Sequence, residues 1–570
     1  MSNLPYSYHT FLFPFIWKND ESQTWEDFSK VLSVGTRWKE TSWRKEEVLK
    51  EKTKEEWFQD YAAFQYFTEP ANNVIFNTRG DNVVRCFEFL PNGNSLDQKM
   101  SSYVIQKYEN VYHLQINKVR LQVYDIGIAI LIFELENHEH KTLDDVNAVN
   151  EYGRRINFPF LTPPGCQPLC ADKISIYFND KEHAFSEQTY NDALDKIEKG
   201  ILTRKEISLS YVMKPIQKIL DNDGQDNGGY TVTSNKGRET RKNVYIKPCV
   251  DDRMFVCCLI ADNELSERLK GISLSETSYY HGLNERLIMT NGKVLDNERI
   301  MHDDYMQGWA DETYFSNMIY KFLFIETSLT CQDPHMKKTL LDNSIYSRRI
   351  QTGTLHGVTH HSMCCITNTN VELSVISPFL TQYVQIAILA LAQRSAILLL
   401  STEAAVVANG FSDDEYITPE QIVEIEALQA KYVKVQNQLL LSEITVQEQG
   451  IEIYEIFRQQ LYIHQNKQEL DEQMNNLRDV ANISNERLER ESDKKTEYTI
   501  NTLGIVFGLL AIAEPIAMMI PNCGNGKIQG FWWLVISSTI ILCGIAFVLK
   551  TQHRTPLSVL KSIWKKLKKG

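Results

Sequence analysis

Two apolar runs near the C-terminus constrain the fold of this chain more than any other feature. They cover residues 498–520 and 531–549, and each is about as long as a helix that crosses a bilayer. The residues between them, PNCGNGKIQG, are typical of a turn. A loop this short keeps both flanks on one side of a membrane. The sequence therefore predicts a transmembrane hairpin over residues 498–549.

Basic residues flank this hairpin. Residues 550–570 (KTQHRTPLSVLKSIWKKLKKG) are strongly basic, and Lys494 and Lys495 precede the first run. Because Lys and Arg concentrate on the cytoplasmic side of membrane proteins, both ends of the hairpin are expected inside. We therefore expect a multi-pass protein of the inner (cytoplasmic) membrane, with both termini and residues 1–497 in the cytoplasm and residues 550–570 as a basic tail.

Composition and motifs narrow the function classes. The chain of 570 residues has a net charge of −13 although its tail is basic, which argues against direct nucleic-acid binding. Its 11 cysteines form no repeated CxxC pairs, so no disulfide framework is expected in a reducing compartment. The sequence contains no phosphate-binding glycine loop, no HExxH motif and no Ser/His/Asp arrangement. No catalytic residue is assigned, and an enzyme is not expected.

Residues 1–375 have mixed helix and strand patterns, which predict an α/β cytoplasmic domain that senses a ligand. Residues 8–17 and 121–137 are expected to be strands, the second long enough to be central in a sheet. Residues 142–152 are predicted to be a helix with Thr142 as its N-cap. Residues 353–367 are expected to form a pair of strands.

Residues 376–497 are predicted to be a helical stalk, with helices over 376–409 and 419–497. The first is apolar enough to resemble a membrane span, but Gln393, Arg394 and Glu403 are costly in lipid, which favours an amphipathic helix in a bundle. The second is expected to begin with a capping box between Thr418 and Gln421 and to continue into the first apolar run. Its single glycine, Gly450, is the one position at which a break or bend is expected.

This order of segments resembles the CorA-like family of divalent-cation channels. The resemblance implies a funnel-shaped homo-pentamer whose first spans line a pore, with a divalent cation such as magnesium as the permeant or regulatory ion and no other cofactor. Its sequence support lies in about the last 200 residues. The family's Gly-Met-Asn triplet is absent, and Met518-Met519-Ile520-Pro521-Asn522 stands in its place, so magnesium selectivity is not expected to follow the family pattern.

A subgroup of the family associated with type III CRISPR loci resembles this chain more closely, because its cytoplasmic domains are large and divergent. The segments that carry this resemblance are YHTFLFPFIW (8–17), YGRRINFPF (152–160) and LHGVTHHS (355–362). The resemblance implies an antiviral effector opened by a nucleotide second messenger of the adenylate type.

Candidate pore residues are the polar, small and acidic positions of the first run and its outer loop. A stripe of small and polar residues is expected to face a pore, or alternatively to let two helices pack closely. Glu514 is the one acidic residue of the two runs, and several copies would form a carboxylate ring; the alternative is an interfacial position. The predicted ion-pathway residues are Asn501, Thr502, Gly508, Glu514, Asn522 and Asn525.

Candidate ligand-binding residues lie in the cytoplasmic domain. Paired arginines bind phosphate bidentately, so Arg154 with Arg155, and Arg348 with Arg349, are candidates; salt bridges are the alternative use. His356 and His360 belong to the densest group of metal-type side chains, but their spacing matches no standard zinc site. A packed strand with hydrogen-bonded histidines is preferred there, with a place in the ligand pocket as the alternative, and no metal site is assigned.

The leading hypothesis from the sequence is an oligomeric ion channel gated by a ligand on its cytoplasmic domain. One alternative is a membrane-anchored sensor or scaffold without a pore. Another is a housekeeping divalent-cation transporter, and a third is a membrane-bound enzyme that acts on a nucleotide.

Overall fold

The computed structural model describes residues 4–19, 38–41, 61–80, 83–91, 95–155, 170–189, 229–233, 239–249, 253–273, 316–327, 330–411 and 417–519, with the single positions 199, 535 and 539. The chain forms two compact units. The first comprises Met1–Ala408 and Ala427–Asn475, and the second comprises Asn409–Glu426 and Asn476–Gly570.

The described strands of the first unit form one mixed sheet. They are β1 (Ser7–Asn19), β2 (Trp38–Thr41), β3 (Val84–Phe89), β4 (Ser102–Lys107), β5 (Asn110–Tyr124), β6 (Ile128–Asn137), β7 (Lys173–Tyr177), β8 (Ser186–Thr189), β9 (Gly229–Thr233), β10 (Glu239–Pro248), β11 (Phe255–Ala261), β12 (Ile345–Tyr346), β13 (Leu355–Val358) and β14 (Ser362–Thr367). The strand order is β12-β13-β14-β11-β1-β6-β5-β4-β7-β8. The strands β10 and β3 pair with β1 and β5, and β9 and β2 pair in turn with β10 and β3. Among the described pairs, β11 and β14 run parallel and the others antiparallel.

The described helices are α1 (Glu69–Phe76), α2 (Leu143–Gly153), α3 (Asn263–Ser273), α4 (Pro334–Ser344), α5 (Val384–Asn409), α6 (Pro419–Gln438), α7 (Glu448–Gln460) and α8 (Ile463–Met519). Residues 61–66 and 316–324 are also helical, and the π-helical turns Glu372–Ile376 and Phe379–Tyr383 lead into α5. A sheet combined with helices confirms the predicted α/β class for the described part of residues 1–375.

Strands β1 and β6 lie at the centre of the sheet and are covered on both faces. Phe11 and Phe133 belong to the core on the face that holds α2, where a Cβ on Gly153 would lie 2.6 Å from Ile105 Cδ1. On the opposite face, Gln122 of β5 donates to Gln385 of α5 at 3.3 Å. A strand covered on both faces has no polar side to present, which explains the nearly continuous apolar sequence of β6.

Strand β6 also corrects one expectation. The predicted single strand over 121–137 is two strands, β5 and β6, joined by a tight turn at residues 125–127. Gly127 lies in the left-handed region with φ +97°, and its amide donates to Tyr124 O at 3.2 Å. A conformation of this kind is open to glycine at little cost, so the turn occurs at the one glycine of the stretch.

Helix α5 is buried on nearly all sides rather than amphipathic. Among the described residues, the stretch Glu372–Asn409 is the one helical segment long and apolar enough to cross a membrane, and 83% of its apolar window is buried inside the protein. Its polar residues find protein partners: Gln393 donates to Leu439 O at 2.9 Å, and Glu403 accepts from Lys431 at 2.7 Å. The predicted amphipathic character is therefore wrong, whereas the inference that this helix packs against protein is supported.

The predicted helix over 419–497 is interrupted twice. Residues 439–447 separate α6 from α7, because Thr445 forms a β-bridge with Phe67 and Ile444 O accepts from Thr68 N at 2.8 Å. The second interruption falls at Leu461 and Tyr462, where Tyr462 is left-handed with φ 54°. The helix that enters the first apolar run therefore begins at Ile463, not at Pro419.

The glycine expected to break the stalk helix has a different role. Gly450 lies inside α7, and a Cβ built on it would lie 2.3 Å from Tyr66 Oη and 2.6 Å from Thr445 Cγ2. The helix thus continues through Gly450, which permits close contact with residues before α1.

Gly450→Ala is expected to lower the free energy of unfolding by about 1–3 kcal/mol, because overpacking outweighs the helix propensity of alanine, worth about 1 kcal/mol. Urea unfolding of the purified protein in detergent measures this change. Gly504→Ala is the matched control, since a Cβ on Gly504 of α8 meets nothing within 4 Å. An alanine at 450 that unfolds at the same urea concentration as the wild type would contradict the assignment.

The second unit contains the confirmed capping box. Thr418 N donates to Gln421 Oε1 at 2.8 Å, and Gln421 N donates to Thr418 Oγ1 at 3.3 Å. Gln421 Nε2 also donates to Gly410 O at 2.7 Å, which ties the end of one helix to the start of the next. The second apolar run, except for two isolated helical positions, and the basic tail lie outside the described residues.

Candidate functional site

The first pair of predicted arginines lies at the C-terminal end of α2. This helix begins as expected, with Thr142 Oγ1 accepting from Asp145 N at 3.1 Å. At its other end the buried carboxylate of Glu151 divides its two oxygens between the pair. Oε2 accepts from Arg154 Nη2 at 2.9 Å, and Oε1 accepts from Arg155 Nε at 3.0 Å. The structure thus brings both predicted residues to one carboxylate.

A third arginine completes this group. Arg155 and Arg253 form an antiparallel β-bridge, and Met254 N donates to Arg154 O at 2.8 Å. We refer to Arg154, Arg155 and Arg253 as the arginine cluster. Burial lowers the pKa of the Arg154 guanidinium, the charge of Glu151 raises it, and the charge of Arg253 lowers it again. An arginine keeps its proton under these influences, so the cluster carries three positive charges.

The arginine cluster lies beside a buried polar network on the same helix. Asn150, one turn before Arg154, has its Oδ1 2.7 Å from His9 Nδ1, and His9 Nε2 lies 2.9 Å from Ser7 Oγ. If Nδ1 donates to the amide oxygen, Nε2 accepts from the hydroxyl. Burial lowers the pKa of His9 to about 4, which keeps the ring neutral at pH 7. This network anchors α2 to β1 next to the cluster.

The second pair of predicted arginines contacts acidic and amide side chains of α7. Arg348 forms ion pairs with Glu448 and, at 2.7 Å, with Glu452. Tyr346 Oη donates to Glu452 Oε2 at 2.5 Å, and this hydrogen bond holds the pKa of the carboxyl below its usual range. An open pocket of about 580 Å³ lies among these side chains. Arg348 therefore forms salt bridges, which was the predicted alternative to ligand binding.

Arg349 also engages α7. With the Gln449 amide oriented to satisfy both neighbours, its oxygen accepts from Arg349 Nε at 3.0 Å and its nitrogen donates to Tyr383 Oη at 3.1 Å. Arg348 and Arg349 therefore hold the first turn of α7 on two sides.

The two predicted histidines lie apart, one in a strand and one in the turn that follows it. His356 is buried in β13 with its ring 5.5 Å from that of Tyr383, and burial lowers its pKa to about 4, with the charge of Arg349 lowering it further. His360 lies in the turn after β13, where Nδ1 donates to Gln460 O at 2.9 Å and Nε2 accepts from Arg394 at 2.7 Å. Among the described residues, no group of three or more His, Cys, Asp or Glu side chains is arranged to hold a metal.

His356 and His360 instead lie near opposite ends of α7. His356 adjoins Arg349 at the start of α7, and His360 binds the last turn of that helix. The expected strand pair is confirmed as β13 and β14, with His356 opposite Cys365. The preferred interpretation, a packed strand with hydrogen-bonded histidines, fits His360. The ring nitrogen Nε2 of His356 has no hydrogen-bond partner among the described residues.

The predicted ion-pathway residues are described only in part. Asn501, Thr502 and Gly508 lie on α8, and Asn501 and Gly508 are exposed. Glu514 belongs to the same helix. Asn522 and Asn525 lie outside the described residues.

Sequence reasoning missed two residues at the C-terminal end of α2, Glu151 and Arg253. Glu151 is signalled by its spacing, because residues three and four positions apart share a helix face and Glu151 precedes Arg154 and Arg155 by these distances. Arg253 has no such signal, since only the pairing of the chain before β11 brings it to α2. In comparisons with protein-family models, curated proteins and solved structures, nothing matches this chain.

Proposed function

We propose that this protein is an oligomeric membrane ion channel of CorA-like architecture, gated by a ligand on its cytoplasmic domain. The observation that carries the proposal is the course of α8. This helix is continuous from Ile463 to Met519 and so includes nearly all of the first apolar run. Its start at Ile463 directly follows α7, which contacts Arg348, after β12, and His360, after β13.

The exposed surface of α8 supports a membrane or oligomer environment. Large apolar side chains of the run are 50–66% exposed, namely Tyr498, Ile500, Leu503, Ile505 and Phe507. Soluble monomeric proteins rarely leave a contiguous apolar patch uncovered. A helix satisfies its own backbone hydrogen bonds, so lipid or neighbouring copies of the helix are suitable cover. Residues 498–519 extend over about 33 Å, close to the hydrocarbon thickness of a bilayer of about 30 Å.

In the proposed assembly, a homo-pentamer places five copies of α8 around the pore. Asn501 and Thr502 would then form inner polar rings, and Glu514 a carboxylate ring that attracts cations such as magnesium. Ligand binding would act by favouring one arrangement of the α7–α8 segment over another. The absence of the Gly-Met-Asn triplet favours this ligand-controlled channel over a housekeeping magnesium transporter. A nucleotide messenger and an antiviral role follow from the family resemblance alone.

Glu514→Gln is expected to reduce the single-channel cation conductance about tenfold or more, because a charged mouth concentrates counter-ions by about 10–1,000-fold. The measurement is the unit conductance of the purified protein in planar bilayers, which does not depend on how often the channel opens. Asn501→Leu is expected to reduce it as well. Glu264→Gln is the matched control, because Glu264 lies on α3 with its side chain exposed, and it is expected to change conductance little.

The oligomeric mass in detergent provides the decisive test. A pentamer is expected, and a monomer would contradict the channel. A second test replaces residues 498–549 by an unrelated membrane anchor. If the biological activity is preserved, the sensor or scaffold alternative is favoured over the channel.

A further inference from the structure

We infer that the break between α7 and α8 is a strained two-state joint, in which Leu461 and Tyr462 can also adopt helical geometry and fuse the two helices into one. We refer to these two residues as the joint. This inference rests on the proposed function and deepens it, because it names the two arrangements of the α7–α8 segment between which a ligand would select. It concerns residues 448–475, which belong to the first unit.

The joint has the geometry of a helix C-cap that usually contains glycine. Leu461 N donates to Phe457 O at 2.9 Å. Tyr462 N donates to Gln459 O at 3.1 Å, which closes the last turn of α7. The left-handed residue of this cap is Tyr462, with φ 54°. A Cβ makes this conformation unfavourable, whereas glycine adopts it at little cost. The joint is therefore strained, and helical geometry at Tyr462 would release the strain.

The local sequence does not account for the break at the joint. Residues 457–466 (FRQQLYIHQN) contain neither glycine nor proline, the usual causes of a sharp kink, and they include several good helix formers. Contacts from elsewhere in the chain hold the last turn of α7. Gln460 O accepts from His360 Nδ1 at 2.9 Å, and Gln460 Nε2 donates to Asn343 O at 2.9 Å. Tertiary contacts thus maintain a break that the segment itself does not favour.

The break also decides which face of α8 packs against the first unit. Leu461 is buried one turn after Phe457, on the buried stripe of α7. In an unbroken helix, Leu470 would lie about half a turn out of phase with this stripe. In the broken arrangement Leu470 is buried, and Tyr432 Oη of α6 donates to Asp471 Oδ1 at 2.6 Å. Fusion would therefore turn the start of α8 away from α6, and the two arrangements differ in this contact.

Two substitutions at Tyr462 are expected to shift this equilibrium in opposite directions. Tyr462→Gly relieves the left-handed strain and disfavours the fused helix, whereas Tyr462→Ala keeps the strain and favours the fused helix. Both remove the same ring, which lies 5.7 Å from that of His360, so the loss of this contact cancels in the comparison. The ratio of fused to broken molecules is expected to be about 30-fold higher in Tyr462→Ala than in Tyr462→Gly.

The measurement is pulsed electron paramagnetic resonance on the full-length protein in detergent, diluted with unlabelled protein so that distances within one chain dominate. Nitroxide amino acids replace Ile451 on α7 and Glu469 on α8, which are both exposed. An unbroken helix would place the two backbones about 27 Å apart, and a bend at the joint brings them closer. The longer distance is expected to be more populated in Tyr462→Ala than in Tyr462→Gly. Tyr108→Gly is the matched control, since Tyr108 has the same φ of 54° in the turn after β4, and it is expected to leave the distances unchanged.

Equal distance distributions in the two variants, or a longer distance favoured by Tyr462→Gly, would overturn the inference. If Tyr462→Ala lacks a cooperative unfolding transition, Tyr462→Asn is compared with the wild type. Asparagine tolerates the left-handed region, so this variant is expected to reduce the population at the longer distance, and an unchanged population overturns the inference. These distances do not depend on ion flux. A protein that shows both arrangements but conducts no ions would contradict the channel and leave the joint intact.

Discussion

Replacing Glu151 by glutamine is expected to lower the free energy of unfolding of the first unit by about 3–5 kcal/mol. The carboxylate of Glu151 is buried and is the described partner of Arg154, whose side chain is 2% exposed. Removing its charge leaves a buried guanidinium without compensation, and the desolvation cost of that charge then falls on the folded state alone. Urea unfolding followed by circular dichroism measures the loss.

The matched control for Glu151 is Glu264→Gln. Glu264 pairs with Arg268 within α3 at 2.8 Å, but both side chains are at least half exposed. An exposed pair of this kind contributes at most about 1 kcal/mol, so little change is expected. Equal losses for the two variants would show that the burial of Arg154 does not matter.

Acidification from pH 7 to pH 5 is expected to cost about 3–4 kcal/mol of folding stability through two buried histidines. The pKa of both His9 and His356 is lowered to about 4 by burial. Below an unfolded-state pKa of about 6.5, the unfolded chain binds protons that the folded chain does not. The contribution of the two neutral histidines to folding stability is therefore fully present above pH 6.5 or so, about the unfolded-state pKa. It is lost as the pH falls through the folded-state pKa.

The pH dependence is measured by urea unfolding at several values between pH 7 and pH 5, a window above the titration of most carboxyls. His356→Phe is expected to remove about half of the slope, because only His9 then differs between the two states. The phenyl ring would pack among Phe379 and Tyr383, which already adjoin His356. A wild-type stability that is flat over this window would contradict a neutral buried state for these histidines.

Local features of the fold were predictable from the sequence. The caps at Thr142 and Thr418 depend on side chains and amides within one turn, so spacing alone identifies them. The breaks in the stalk were not predictable, because the segment 439–447 leaves the helix to pair with Phe67 and Thr68, far away in the chain. The burial of α5 on nearly all sides likewise depends on a sheet face and on parts of other helices, which are distant from α5 in the sequence.

The candidate site also combines features that were predictable from the sequence with features that were not. The two arginine pairs were visible as dipeptides, but their sequence contexts did not indicate that one pair meets three acidic or amide groups of α7. The approach of Arg253 depends on the β-bridge before β11, and the contact of His9 with Asn150 depends on the packing of α2 against β1. For the first apolar run, length and hydropathy predicted a helix, and α8 covers it up to Met519.

The burial of α5 has a consequence for biosynthesis. During translation this apolar helix leaves the ribosome before the C-terminal runs, and by length and hydropathy it is a competitor for insertion into the membrane. Arg394 near its middle is costly to insert, and Gln393 loses its bonds to Leu439 O and Tyr454 Oη if the helix enters lipid. In the folded first unit this helix is covered by protein, so folding of the unit removes it from competition for insertion.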